Sequence, residues 1–162
     1  MLDTTVLNAM HTSVLCWLAT CDAHGQPNVS PKEVFAAIDS QHLVIAHIAS
    51  PRSVRNIADN PRVCVSFIDV FTQKGFKVLG EACVILPADG RFAQLEPLLL
   101  AKTQGRFPIH AAIRVRVEAV EPILAPSYRL YPGTTEAAQV ASAMRTYGVT
   151  PATHHHDGEA AP

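Results

Sequence analysis

Ser50, Arg52 and Ser53 open a short stretch, "SPRSVRNIAD", whose residue types and spacing suit the binding of an anion. Ser50 is a good helix N-cap and Pro51 suits the first helical position, so a helix is expected from there. Arg52 then falls in the first turn, with Arg55 just beyond it. Free backbone N–H groups make that end partly positive, and a cation there is disfavoured by a few tenths of a kcal/mol up to about 1. A phosphate reverses that balance, because helix amides, a guanidinium and two hydroxyls can all donate to it. Lys32 and Lys74, each in a predicted strand, are candidates for the other walls of such a cage.

No other constellation points as clearly to chemistry. Ser, His and Asp are present, yet no G-x-S-x-G nucleophile turn occurs and no G-x-G-x-x-G follows the first strand. Cys16, Cys21, Cys64 and Cys83 form no C-x-x-C pair and lie in apolar runs, so they read as unpaired core thiols of a reducing compartment. Arg114 and Arg116 alternate on a strand as the solvated face of a sheet does, which argues against a nucleic-acid site. His24 and His110 read as turn or surface residues, and Trp17 as a core or interface aromatic. The run of three histidines in the polar tail, "THHHDGEAAP", is not read as a metal site.

These side chains need a scaffold, and the bulk properties allow one domain. The chain has 162 residues, of which 48% are hydrophobic and 17% charged, and its net charge is −1. That composition belongs to a globular chain without the field that draws nucleic acid or an anionic membrane surface. The apolar runs are too short to span a bilayer, and the N-terminus has an early acid and no basic segment ahead of an apolar one. A cytoplasmic location is expected. Residues 1–148 are expected to form the single domain, and 149–162 a disordered polar tail.

Residues 2–11 read as a short amphipathic helix. Apolar or alternating runs then mark six strands, over 14–20, 28–38, 42–49, 62–71, 74–86 and 110–124. In the second, Asn28, Ser30 and Lys32 share one face while Val29, Pro31 and Glu33 share the other. Pro31 implies a sheet edge or a bulge, where backbone groups are left free for a ligand. Helices are expected over 50–59, over 88–104 with a kink or split at Pro97, and over 133–148. Hairpin-linked strands with one helix after the third argue for a mainly β protein, an antiparallel barrel or sandwich with peripheral helices.

At "NVSPKEVF", "ASPRSVRNIADNPRVCVSFID" and "QKGFKVLGEA" the sequence resembles the pyridoxamine 5'-phosphate oxidase-like FMN-binding split-barrel family. The resemblance covers residues 14–86 and continues more weakly through "FPIHAAIRVRVEAVEPI". It implies a six-stranded antiparallel split β-barrel, a homodimer, and one FMN in each of two clefts between subunits. It places Val29, Ser30, Lys32 and Glu33 along the isoalloxazine ring, and Ser50, Arg52 and Ser53 on the phosphate. By the same resemblance His47 falls near the ribityl chain or phosphate, and Lys74 at a basic or amide position that contacts the flavin.

The chain departs from the family's better-studied oxidases in two places. Ser50-Pro51-Arg52-Ser53 lacks their Arg-Lys pair after the serine, and "YRLYP" only faintly echoes their C-terminal arginine motif. The implied function is an FMN-dependent oxidoreductase acting on a small molecule, other than a true pyridoxamine phosphate oxidase, with no nucleic-acid or membrane partner. No catalytic acid or base is implied, because the chemistry belongs to the flavin ring. The alternative on the same barrel is a non-catalytic flavin- or haem-binding protein for storage or sensing.

Overall fold

Asp3 starts the first element: its carboxylate accepts the Val6 amide at 3.0 Å, and α1 (Thr4–Thr12) follows with Val6 and Met10 buried. The computed structural model describes residues 1–103 and 105–151, so the tail from 152 onward lies outside the described residues. After α1 come β1 (Cys16–Cys21), β2 (Pro27–Lys32), β3 (Phe35–Ala37) and β4 (His42–His47). Then follow α2 (Pro51–Asp59), β5 (Arg62–Asp69), β6 (Lys74–Ile85), α3 (Phe92–Thr103) and β7 (Ala111–Leu124). The short α4 (Ser127–Leu130) and α5 (Glu136–Tyr147) complete the order.

All seven strands belong to one antiparallel sheet, in the order β2-β1-β5-β6-β7-β4-β3. Its two edges, β2 and β3, are consecutive in the chain, with only Glu33 and Val34 between them. Three Cα–Cα steps from Lys32 to Phe35 span at most about 11 Å. The sheet must therefore curl until its edges nearly meet, and the result is a split barrel.

Seven strands replace the expected six because residues 28–38, read as one strand, divide into β2 and β3. Pro31 lies on the edge strand opposite Trp17, where its missing N–H breaks no inner ladder. Beyond Lys32 the chain turns to the other edge, and the Val34 carbonyl accepts the Ala46 amide at 2.9 Å. Register shifts between Leu79 and Gly80, where a Cβ would collide with the Arg116 carbonyl, so this bulge requires glycine.

The barrel interior holds Leu18, Leu43, Ile45, Val65, Phe67 and Ile113, closed at one end by Val6 and Met10 of α1. Val44 and Ala46 face the opposite way and pack with Ala112 against Phe92, Leu95 and Leu99 of α3. β4 is thus covered on both faces, which explains the unbroken apolar run "LVIA". The expected start of α3 at 88 moves to Phe92, because Asp89 Oδ1 accepts the Arg91 amide at 2.9 Å in a turn ahead of the helix. α3 runs through Pro97 without splitting.

α4 is an element the sequence reading lacked. It leads into α5, which the Thr135 hydroxyl caps by accepting the Ala138 amide and which Gly148 ends at φ +66°. Of the four cysteines, only Cys16 is fully buried; Cys21 and Cys64 are partly covered, and Cys83 is exposed on β6. The expectation of four core thiols is corrected there, because an apolar-looking strand still alternates its faces. Among the described residues no helix is long and apolar enough to cross a membrane.

Candidate functional site

α2 begins as its sequence demands, with Ser50 at the N-cap and Pro51 at the first helical position. It stops at Asn60, whose amide donates to the Asn56 carbonyl at 2.7 Å just before Pro61. Ser53, Asn56 and Ile57, spaced three and four apart, form its buried stripe. The Ser50 hydroxyl, however, makes no bond to the helix it should cap. It accepts instead from the ammonium of Lys32. Its own proton is then free for His47 Nδ1, 3.3 Å away, which also accepts the Ser50 amide at 3.4 Å.

Lys32 decides the electrostatics. It lies at the end of the edge strand on the inward face, only 8% exposed, and burial lowers its pKa. Among the described residues no carboxylate pairs with it. His47 is lowered too, first by burial and then by the positive charge of Lys32 and by His110, whose ring centroid is 6.0 Å away. A buried cation, an uncapped helix start and a neutral imidazole thus converge, and among the described residues no carboxylate is paired with the cation. Such a group of donors has the charge and hydrogen-bonding character that suits an anion.

A cavity of about 380 Å³ opens beside this group. Ser30, Lys32, Glu33 and Ser50 give it a polar side, and Val34, Ile48 and Phe107 an apolar wall. It offers room for a flat apolar body next to an anionic tail. That shape and donor set fit a flavin nucleotide.

The other expected site residues divide. Ser53 is completely buried, and its hydroxyl shares a hydrogen bond with Ser30 Oγ at 3.0 Å and accepts from Asn28 Nδ2 at 3.3 Å. Arg52 is exposed; its charge is a minor cause, behind the Gln26 amide, of the lowered Asp22 pKa. Val29 points outward, 58% exposed, as the strand alternation foresees. Lys74 is not brought to the group: it pairs with Glu136 and lies 4.7 Å over the Tyr128 ring. His47 is opposite Ala111 at one end of β7 and Lys74 opposite Leu124 at the other, roughly 40 Å apart along the strand. The sequence reading missed Thr20 and Asn56, buried polar residues that join Asn28 in the same network. Only the spacing of Asn56 three residues after Ser53 hinted at it.

Comparison with known proteins accords with this geometry. The family model described as pyridoxamine 5'-phosphate oxidase matches residues 2–123. The chain belongs to the pyridoxamine 5'-phosphate oxidase-like split-barrel family. No curated protein matches the sequence. Among solved structures, HupZ of Group A Streptococcus aligns with a TM-score of 0.67 at 22% identity, over 77% of this chain and 96% of its own. A candidate pyridoxamine 5'-phosphate oxidase of Lactobacillus delbrueckii aligns with a TM-score of 0.62 at 28% identity, over 74% of this chain and 92% of its own. An FMN-binding protein of Syntrophomonas wolfei aligns with a TM-score of 0.62 at 16% identity, over 75% and 88%. At these identities the similarity establishes the barrel, and the cavity itself must argue for its occupant.

Proposed function

We propose that this protein binds FMN and acts as an oxidoreductase on a small molecule. The observation that carries the reading is Lys32: a buried ammonium without a carboxylate, held on Ser50 where α2 begins. A phosphate there would take the charge of Lys32 and the free amides of the first turn, with Arg52 folding over from the surface. The apolar wall of Val34, Ile48 and Phe107 would cover one side of the ring. Membership in the family and the likeness to an FMN-binding protein support FMN as the nucleotide.

Bound FMN supplies hydride and electron transfer; the residues supply position and local charge. Lys32 holds positive charge beside the bound anion, and Ser50 and His47 keep that ammonium in place.

We propose further that a second copy completes the site. Lys74 can meet the same ligand only from another chain, given its place at the far end of β7. The exposed apolar side chains Val14, Trp17, Val29 and Val70, 81%, 42%, 58% and 45% exposed, suit burial against such a copy.

The absorbance spectrum of the purified protein, before and after adding FMN and removing the excess, tests the reading. Flavin bands near ~370 and ~450 nm, with FMN released on denaturation, are the expected result. A Soret band would assign the cavity to haem, and protein that stays colourless after loading would refute cofactor binding at Lys32.

A further inference from the structure

We infer that Thr20, Asn28 and Asn56 are positioning residues for the anion site, a buried to half-buried run of hydrogen bonds that sets where the first turn of α2 stands against Lys32. The inference rests on the flavin-phosphate reading. Thr20 Oγ1 accepts from Asn56 Nδ2 at 3.0 Å and from Asn28 Nδ2 at 3.3 Å. Asn28 Nδ2 also reaches Ser53 Oγ at 3.3 Å, and that hydroxyl shares its bond with Ser30 Oγ at 3.0 Å. The five side chains come from β1, β2 and α2, and none carries a charge. Thr20, Asn28 and Asn56 therefore act on the anion through their neighbours, by where they hold Ser30 and Ser53.

Their geometry gives them a different task. Ser53 and Asn56 lie one helical turn apart, so two anchors fix both the rotation of α2 and its height over the sheet. Ser30 and Lys32 share a face of β2, so the strand that ends the network also presents the ammonium. The distance between that ammonium and the helix amides is therefore set by directional bonds. Apolar packing alone would hold the helix as firmly but let it slide, and charge-assisted hydrogen bonds to a phosphate weaken steeply with such displacement. Thr20, Ser53 and Asn56 are at most 6% exposed, so no water replaces a lost partner cheaply.

FMN and riboflavin differ only in the phosphate, so fluorescence titrations with both separate the grip on phosphate from the grip on the ring. The native protein is expected to prefer FMN by at least about tenfold. Thr20→Val, which removes the hydroxyl at nearly constant shape, is expected to cut that preference about tenfold while riboflavin affinity stays within about twofold. Thr20→Ser should restore the preference. An equal loss for both ligands, or an unchanged preference, would overturn the positioning role. A native protein that binds riboflavin as tightly as FMN, or binds neither, would instead remove the phosphate reading and this role with it. If Thr20→Val does not fold, Asn28→Ala at a half-buried position carries the same comparison.

Discussion

Lys32 donates its ammonium proton to the hydroxyl of Ser50, the group that would otherwise cap α2. The two residues are 18 apart in sequence, one on a strand edge and one at a helix start. An N-cap serine ordinarily turns its oxygen toward the amides of its own helix and satisfies one of them. Here that oxygen serves a buried cation, and the helix start keeps its free donors. Two electropositive features that local energetics would separate are held side by side, and their arrangement makes sense once an anion lies between them.

Lys32→Met separates stability from binding. A buried charge without a counter-charge costs more than an apolar side chain of similar length, so the cofactor-free variant is expected to be more stable by about 1 kcal/mol or more. For a chain of this size that raises the melting temperature by about 2–4 °C per kcal/mol. FMN affinity is expected to fall by about tenfold or more, with riboflavin little affected. Thermal melts without ligand and titrations with both flavins check it. A variant less stable than the native protein would show that Lys32 is balanced within the fold.

Arg52→Ala probes the exposed side of the same site. Its guanidinium is solvated in the free protein and sits at the positive end of α2, so melting should be unchanged or rise by at most a few degrees. FMN affinity should fall about tenfold at low salt, and the difference should shrink as salt screens an exposed contact. Titrations at two salt concentrations read this directly. A loss that ignores salt would place the guanidinium in a buried contact instead.

The split between what was legible in sequence and what was not follows from the range of each interaction. α2 could be read because Ser50, Pro51 and Asn60-Pro61 act within a turn or two. The faces of β2 could be read because alternation is local, and Val29 and Ser30 point as it foresees. That Lys32 would take the Ser50 hydroxyl was not legible, because it depends on the barrel bringing two segments together. Thr20 and Asn56 escaped notice for the same reason: each looks like an ordinary polar residue until Asn28 joins them. The resemblance groups Lys74 with the site, and the register of β7 places it at the opposite end of that strand from His47.

His47 makes stability depend on pH. Its ordinary value is 6.5, and burial, Lys32 and His110 hold the folded group lower. Between the two values the unfolded chain binds more protons, so stability is lost as the pH falls from the ordinary value through the folded one. Melts of the cofactor-free protein from about pH 7.5 to about pH 5 should show a decline that His47→Asn makes shallower. A constant offset between the two proteins across that range would mean that His47 does not titrate differently on folding.

The thiols should react in the order that burial dictates. Thiolate is the reactive form, and reaction needs access as well as charge. Cys16 has neither: it is 0% exposed, and burial pushes its thiol up to about 12 despite the nearby Lys32 ammonium. Cys64 is half covered and is also pushed up by burial, whereas Cys83 is exposed on β6. Iodoacetamide labelling with peptide mapping should therefore modify Cys83 first, Cys64 slowly, and Cys16 only when the protein unfolds. Cys16 shares the start of β1 with the Lys32 end of β2, since the two residues are paired across the strands. Prompt labelling of Cys16 in the native state would thus reveal that the edge carrying Lys32 opens, and a site whose ammonium is intermittently solvated would hold phosphate far less firmly than the closed barrel implies.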